Sequence, residues 1–382
     1  MVQSFRIEVP DQVLDDLKER LAHTRWPGEV SGSGWSYGTN LAYLKELVEY
    51  WRTRYDWRAQ ERELNRFDHF KAEVDGIAIH FIHQRGTGAN PRPLMLIHGW
   101  PGSFYEFHQL IPLLTDPVRH GGAAGDAFSL IVPSLPGYGF SGDPGVPGVN
   151  IKRIAELFHK LMTQELGCSR YGVQGGDWGA FVASQMGLMY PRDVIGVHLN
   201  CVALQSPDSN RNSEDEDARQ ARAQWQHHFA NEAGYAEIQR TKPQTLAYGL
   251  NDSPAGLAGW IVEKFRTWSD CGGDPERSFS KDQLLTNIMI YWVTGAIGSS
   301  VRLYYEELNR PFRLQSGQRV EAPTAIAVFP KEIANPPRSW AADAYNLKRW
   351  TVMARGGHFA AMEEPQAIAE DIRAFYREVD PR

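Results

Sequence analysis

The sequence predicts an α/β fold with a mostly parallel central sheet and helices on both of its faces. Short apolar runs alternate with helix-length segments from residue 94 to about 200, the alternation stops until about residue 320, and it then returns with TAIAVF and WTVMAR. Apolar strands separated by helices are typical of parallel sheets joined by crossover helices. The interruption predicts a helical cap inserted into the sheet.

An N-terminal attachment to the core is predicted for residues 1–90. Two amphipathic helices are indicated there by apolar residues at helical spacing: Val13, Leu14, Leu17 and Leu21 in the first, and Leu41, Leu44, Leu47, Val48 and Trp51 in the second. Residues 77–82 alternate like a strand, and the central sheet is predicted to start with them.

The first part of the core is predicted for residues 91–200. LMLI runs into HGWPGS, FSLIVPSL into PGYGFSG and YGVQG into GDWG, and VIGVHLN closes the series. The first three are apolar strands that end in turns rich in Gly or Pro. NIKRIAELFHKLMTQEL is the clearest helix between them, and Asn150 is placed to cap it.

The cap is predicted for residues 201–320 and the second part of the core for residues 321–382. The cap starts with the polar, acidic stretch PDSNRNSEDEDARQARAQ and continues with helical segments such as SPAGLAGWIVEKFRTW and KDQLLTNIMIYWVTGAIGSSVRLYYEEL. TAIAVF and WTVMAR then supply strands, and PQAIAEDIRAFYREV supplies a closing helix.

Composition and charge exclude several classes of protein. The 382 residues are 42% hydrophobic and 23% charged, as in a globular enzyme, and a formal charge of -6 gives no reason to expect a nucleic-acid partner. Cys168, Cys201 and Cys271 show no C-x-x-C spacing, so neither a disulfide framework nor a zinc site is indicated. Because no signal peptide or long apolar run is evident, we expect a cytoplasmic protein without a membrane anchor.

A nucleophile is predicted at Asp177, in Gly175-Gly176-Asp177-Trp178-Gly179 between a strand and a helix. This is the setting of the G-x-S-x-G nucleophile elbow, here with Asp at the reactive position. The N–H of Trp178 would point toward an oxyanion. The alternative is an Asp that only caps the following helix.

A second motif, His98-Gly99-Trp100-Pro101-Gly102, directly follows LMLI. Enzymes with the nucleophile elbow place at this point the loop whose backbone N–H completes the oxyanion hole, so Trp100 is the expected donor. A tight Gly/Pro turn without function is the alternative.

A third motif, Gly356-Gly357-His358-Phe359, lies between the last predicted strand and the last helix. The order nucleophile, cap and histidine is that of the α/β-hydrolase fold, which makes His358 the predicted base. Glu332, just after TAIAVF, is the acid expected to orient it. A solvated loop carboxylate remains the alternative for Glu332.

An Asp nucleophile narrows the chemistry. A carboxylate attacks an sp3 carbon and leaves an alkyl ester on the enzyme, which indicates epoxides or alkyl halides as substrates. His358 would then activate the water that hydrolyses this ester. An opening epoxide needs a proton donor at its oxygen, and tyrosines in the cap suit that task, whereas halide release would need N–H donors such as indoles.

The sequence as a whole resembles the microsomal-type and juvenile-hormone-type epoxide hydrolases and their soluble bacterial relatives. The resemblance spans nearly the whole chain and rests on FRIEVPDQVLDDLKERLAHTRWP, HGWPGSFYEF, PSLPGYGFS, GGDWG, TKPQTLAYGLNDSPAGLAGWIVEKF, SFSKDQLLTNIMIYWVTGAIGSS and RGGHFAAMEEP. It implies an α/β-hydrolase fold with an N-terminal meander that touches the cap. It also implies catalysis without cofactor or metal.

The resemblance assigns roles to individual residues. It implies Asp177 as nucleophile, His358 as base, Glu332 as its acid, and two tyrosines as donors to the epoxide oxygen. One is Tyr235, in the Gly-Tyr pair upstream of TKP, and the other is in Arg302-Leu303-Tyr304-Tyr305-Glu306. The family has a single Tyr followed by Lys there; we expect Tyr304 to be the donor, with Tyr305 or simple aromatic packing as alternatives.

The expected function is therefore hydrolysis of a hydrophobic epoxide to a vicinal diol through an aspartyl ester. Secondary-metabolite biosynthesis, including antibiotic biosynthesis, and xenobiotic detoxification are both compatible roles. A haloalkane-type dehalogenase and a catalytically idle small-molecule binding module are the alternative functions. A homodimer is a possible assembly.

Overall fold

The computed structural model describes residues 1–202, 216–309, 311–315, 317–333 and 335–381. Its strands are β1 Val2–Phe5, β2 His69–Val74, β3 Ile77–Gln84, β4 Arg92–Ile97, β5 Phe128–Pro133, β6 Tyr171–Gly175, β7 Val194–Leu199, β8 Val320–Val328 and β9 Tyr345–Val352. They form one sheet in the order β1-β2-β3-β5-β4-β6-β7-β8-β9. Pairing is antiparallel from β1 through β3 to β5 and parallel from β5 to β9.

Helices cover the sheet and build the cap. They are α1 Asp11–Ala22, α2 Leu41–Thr53, α3 Trp57–Leu64, α4 Leu110–Thr115, α5 Ile151–Lys160, α6 Asp177–Met189, α7 Glu216–Asn231, α8 Gly234–Thr241, α9 Pro243–Asp252, α10 Pro254–Trp268, α11 Lys281–Thr294, α12 Ile297–Asn309, α13 Arg338–Ala344, α14 Ala360–Glu363 and α15 Pro365–Val379. In one layer α5 packs on α6, and in the other α4 packs on α15. The predicted α/β architecture is confirmed.

The predicted start of the sheet is wrong. The sheet begins with β1 and continues with β2, whereas the sequence predicted its first strand at residues 77–82. The four residues VQSF of β1 form a largely exposed edge strand, and such a strand carries no apolar alternation that a sequence pattern could reveal. The N-terminal segment thus adds strands to the sheet as well as helices.

The predicted helix at NIKRIAELFHKLMTQEL begins as expected. Asn150 caps α5, where its Oδ1 accepts a hydrogen bond from the Arg153 N–H at 3.1 Å. The helical turn continues through Leu161–Glu165 with wider, π-type hydrogen bonding. The apolar residues of α5 face the core. Their helical spacing in the sequence therefore predicted the helix.

The cap lies between β7 and β8 and consists of α7 to α12. Gly295, with φ +64°, ends α11 and lets the chain turn into α12, so the long segment predicted as helical is two helices. Residues 203–215, which hold much of the predicted acidic stretch, lie outside the described residues. Within the cap, α12 packs on α8 and α9, and α10 packs on α9 and α11.

The N-terminal segment contacts the cap directly. Thr39 donates its hydroxyl to the Gly259 carbonyl at 2.6 Å, and Tyr50 donates to Asp282 at 2.9 Å. These contacts join α2 and the loop before it to α10 and α11. The predicted contact of this segment with the cap is thus present in the structure.

No single helix in the described ranges is long and apolar enough to cross a membrane. The two helical stretches Lys281–Thr294 and Ile297–Leu308, bent by 90° relative to each other, meet the criteria of length and composition only as a pair.

The parallel strands place four loops at one edge of the sheet. The loops after β4, β6, β8 and β9 carry Trp100, Asp177, Glu332 and His358. Carboxyl ends of parallel strands meet at the same edge, beneath the cap. The topology therefore gathers residues that are up to 258 positions apart (358 − 100) in the sequence.

Candidate active site

The turn between β6 and α6 presents Asp177. Asp177 has φ +48°, in the left-handed region that a residue with a Cβ seldom adopts. Its turn is tight because α6 packs directly on the end of β4: a Cβ at Gly179 would lie 1.9 Å from the Ile97 carbonyl oxygen. The side chain of Asp177 remains 21% exposed, so a substrate can reach it.

The loop after β4 donates a hydrogen bond to the Asp177 carboxylate. The backbone N–H of Trp100 donates to Asp177 Oδ1 at 2.8 Å. Trp178, the other predicted oxyanion donor, follows Asp177 in the first turn of α6, but in the described part of the chain its N–H makes no hydrogen bond to the carboxylate. Of the two predicted oxyanion donors, Trp100 therefore donates to the Asp177 carboxylate among the described residues, and Trp178 does not.

His358 lies between two carboxylates. Its Nδ1 lies 2.7 Å from Glu332 Oε1, and its Nε2 lies 3.3 Å from Asp177 Oδ2. Burial lowers the pKa of His358, but the charges and hydrogen bonds of Glu332 and Asp177 outweigh it, and the pKa lies well above its ordinary value. The two carboxylates therefore favour the protonated imidazole beside the nucleophile.

The cap holds the loop that carries His358. The backbone N–H of His358 donates to the Trp268 carbonyl at 2.8 Å, and the N–H of Gly356 donates to Asp270 Oδ2 at 3.1 Å. Glu363 adds a link, since its Oε2 accepts from the Asp270 N–H at 2.7 Å. The base is thus fixed by the end of α10 as well as by its own strand.

Two cap tyrosines face the nucleophile from α8 and α12. The ring of Tyr235 stacks on Trp100, with centroids 5.4 Å apart and planes at 8°, and the ring of Tyr304 meets Trp178 edge-on at 4.8 Å. Tyr304 is 8% exposed, whereas the side chain of Tyr305 points outward and is 44% exposed. Burial and ring contacts thus place Tyr304, and not Tyr305, at this site.

Burial keeps both phenols protonated. It is the largest cause that raises the pKa of each, and the charge of Asp177 raises both pKa values further. Each phenol can therefore donate a proton or a hydrogen bond to an oxygen that develops negative charge beside it.

Glu106 is a site feature that the sequence reasoning missed. Its carboxyl is 8% exposed, and burial raises its pKa to about 8, within electrostatic reach of His358 and Asp177. Glycine at position 102 makes room for it, because a Cβ there would lie 2.7 Å from Glu106 Oε2. The signal was a carboxylate four residues after that glycine in HGWPGSFYEF.

One group of possible metal ligands occurs among the described residues. Ligand atoms of Cys201, Glu332 and His358 lie within 4.8 Å of one another. Glu332 and His358 are already hydrogen-bonded to each other, and burial raises the pKa of the Cys201 thiol well above its ordinary value. A neutral thiol is a poor metal ligand, so this group is part of the triad and its packing.

The structure brings together all the predicted residues. His358 hydrogen-bonds to Glu332 and pairs with Asp177, and Trp100 donates to the nucleophile. The cap tyrosines pack on Trp100 and Trp178 beside it. In such a site the carboxylate can attack a substrate carbon and become an alkyl ester while the phenols opposite donate protons. The histidine can then activate water to hydrolyse the ester.

The chain is similar to known proteins over nearly its whole length. Residues 2–107 match a family model described as Epoxide hydrolase N terminus, and residues 92–245 match one described as alpha/beta hydrolase fold. The Sus scrofa protein Epoxide hydrolase 1 is 40% identical over 401 residues, which cover 98% of this chain and 88% of the relative.

Solved structures give the same result. The juvenile hormone epoxide hydrolase of the silkworm Bombyx mori superimposes with a TM-score of 0.89 at 34% identity, covering 99% of this chain and 95% of the other. The Aspergillus niger epoxide hydrolase superimposes with a TM-score of 0.89 at 32% identity, covering 99% and 97%. The chain belongs to the epoxide hydrolase family of α/β-hydrolase enzymes.

Proposed function

We propose that the protein converts a hydrophobic epoxide to a vicinal diol in two steps, through an ester on Asp177. The observation that carries the proposal is the placement of the Asp177 carboxylate, with the Trp100 N–H on one oxygen, His358 on the other and Tyr235 and Tyr304 in the cap above it. No serine occupies the elbow, so acyl transfer from an ordinary ester is not the favoured chemistry.

In the first step an Asp177 oxygen attacks an epoxide carbon and the carbon–oxygen bond of the ring breaks. The electron pair of that bond goes to the ring oxygen, which takes a proton from Tyr235 while Tyr304 donates a hydrogen bond. The products are a neutral hydroxyalkyl ester of Asp177 and a phenolate on Tyr235. The negative charge has moved from the nucleophile to the cap.

In the second step His358 becomes a base. Ester formation removes the negative charge of Asp177, which helped to raise the pKa of His358, so the imidazole gives up its proton, which neutralises the Tyr235 phenolate. With Glu332 holding Nδ1, Nε2 can then deprotonate water that attacks the ester carbonyl. The N–H groups of Trp100 and Trp178 would hold the oxyanion. Collapse of this intermediate breaks the bond between the carboxyl carbon and the diol oxygen, and the departing oxygen takes the remaining proton of the attacking water, which leaves the diol, the Asp177 carboxylate and a protonated His358.

The substrate class follows from the walls of the site. Aromatic rings of Trp100, Trp178, Tyr235, Trp268 and Tyr304 contact one another around the nucleophile. Such walls suit a hydrophobic epoxide, and the groups described above complete the reaction without a cofactor or metal. We place the protein in the cytoplasm, in secondary-metabolite biosynthesis or in detoxification of foreign epoxides.

The test compares diol formation from styrene oxide by the wild type and by Asp177→Asn. We expect turnover by the wild type and none by the variant, because an amide is a poor nucleophile. A single turnover in ¹⁸O-labelled water should put the label into Asp177 before it reaches the diol. Direct incorporation into the diol would contradict the ester mechanism.

The same protein preparation separates the alternatives. Release of chloride or bromide from 1-haloalkanes, without diol formation from any epoxide, would favour the dehalogenase. Binding of styrene oxide by Asp177→Ala without turnover by the wild type would favour an idle binding module.

A further inference from the structure

A buried ammonium lies over the ring of Tyr235. Lys264, on α10, is 4% exposed, and its Nζ lies 4.6 Å from the centroid of the Tyr235 ring and 5.7 Å from that of Trp268. Lysine is seldom buried to this extent unless its charge has a partner. The first step of the proposed reaction does not require this side chain, so its place beside the proton donor needs its own explanation.

Lys264 is held where it lies by an ion pair. Its Nζ pairs with the carboxylate of the neighbouring Glu263, whose side chain is 22% exposed. The charge of Lys264 also lowers the pKa of His228 in α7 and acts on Glu232, which follows that helix. The ammonium is thus oriented by a partly solvated carboxylate on one side and by aromatic rings on the other.

The proposed reaction increases the attraction between Lys264 and Tyr235. A cation over a neutral phenol is attracted by the electron density of the ring, and the attraction grows once the ring carries the charge of a phenolate. In the proposed reaction ring opening transfers a full negative charge from Asp177 to Tyr235, the phenol over whose ring the Lys264 ammonium lies. An interaction that strengthens along the reaction coordinate lowers the barrier.

We infer that Lys264 is a positioning residue for epoxide opening, which acts through Tyr235 by stabilising the phenolate that forms there. The inference rests on the proposed function. The adjacent residues Glu263 and Lys264 thus have a role beyond packing. The positive charge of Lys264 stabilises the phenolate, and the ion pair with Glu263 holds Lys264 in place.

The test is a double-mutant cycle on the rate of ester formation. Lys264→Met keeps the length of the side chain and removes its charge, and Tyr235→Phe removes the phenol. Enzyme is mixed with styrene oxide, quenched within milliseconds, and the alkylated Asp177 peptide is quantified by mass spectrometry. We expect Lys264→Met to slow ester formation about tenfold in the wild type and by less than about twofold in the Tyr235→Phe background.

Two further variants serve as controls. Lys264→Arg keeps the cation and should form the ester within about threefold of the wild-type rate. Lys281 pairs with Glu46 and Glu276 and lies 5.9 Å from the Tyr50 ring, in the contact between α2 and α11. Lys281→Met removes a comparable lysine–tyrosine contact away from the nucleophile and should leave ester formation unchanged. Thermal unfolding of every variant shows that it is folded.

The outcomes separate the two proposals. Equal slowing by Lys264→Met in both backgrounds, or no recovery in Lys264→Arg, would overturn the role of Lys264 while leaving the reaction intact. Ester formation at the wild-type rate by Tyr235→Phe would remove Tyr235 from the reaction, and the inference with it. Diol formation by Asp177→Asn would overturn the proposed function itself.

Discussion

Nε2 of His358 lies 3.3 Å from Asp177 Oδ2, on the carboxylate oxygen that the Trp100 N–H does not engage. The Trp100 N–H and the His358 imidazole therefore contact different oxygens of the Asp177 carboxylate. Because the charge of Asp177 also raises the pKa of His358, the state of the nucleophile sets the strength of the base. In the proposed mechanism this coupling lets the hydrolysis step follow the attack.

Replacement of His358 should separate the two steps. In His358→Gln the carboxylate can still attack, but no group activates water, so the ester should accumulate and diol formation should fall at least about 100-fold. Intact-protein mass spectrometry after addition of styrene oxide should show one adduct on the variant and none on the wild type. A variant that forms diol at the wild-type rate would show that His358 is not the base.

The adjacent tyrosines give a matched pair. Tyr304→Phe removes a buried hydroxyl beside Tyr235 and should slow ester formation at least about tenfold, since a donor to the epoxide oxygen is lost. Tyr305→Phe alters an exposed side chain and should change the rate by less than about twofold. Rapid-quench measurement of the rate of ester formation in both variants tests this. A larger decrease for Tyr305→Phe would make Tyr305, and not Tyr304, the donor to the epoxide oxygen.

Glu106 should make stability depend on pH. Burial raises its pKa from 4.5 to about 8, so its contribution to the free energy of unfolding is complete below about pH 4.5 and is lost as the pH rises toward 8. Glu106→Gln is neutral throughout and should lose less stability between pH 5 and 8 than the wild type, by on the order of 3 to 4 kcal/mol. Urea unfolding at several pH values measures the difference.

An exposed carboxylate provides the control for this experiment. Glu19→Gln changes a solvated residue of α1 and should keep the wild-type dependence on pH. If the curves for Glu106→Gln and the wild type run parallel between pH 5 and 8, Glu106 does not keep its proton in the folded protein.

The β4 loop requires glycine next to the nucleophile. A Cβ at Gly99 would lie 2.1 Å from Asp177 Oδ1, so Gly99→Ala should displace the carboxylate and lower diol formation at least about 100-fold. Gly249 lies on an exposed part of α9 with open space around it, and Gly249→Ala should raise the free energy of unfolding by up to about 1 kcal/mol without affecting the rate. A folded Gly99→Ala variant with wild-type activity would contradict this reading of the loop.

Several parts of the molecule could be predicted because they depend on local pattern. The strand-turn-helix around Asp177 is encoded in consecutive residues, and so are the apolar face of α5 and the cap at Asn150. The edge strand β1 and the division between α11 and α12 could not be predicted in the same way. The former has no apolar alternation, and the latter depends on one glycine in an otherwise helical run.

The sequence by itself determined the α/β class, the inserted cap, and the order nucleophile, cap and histidine, because each is written in the spacing of apolar residues and glycines along the chain. Only the tertiary structure decided that Tyr304 is buried and Tyr305 exposed, that Glu106 and Lys264 lie in the interior, and that the end of α10 holds the His358 loop. The burial of a side chain and its contacts depend on residues that are far apart in the sequence. These two properties decide whether a polar side chain has a shifted pKa, holds a buried charge or is simply solvated.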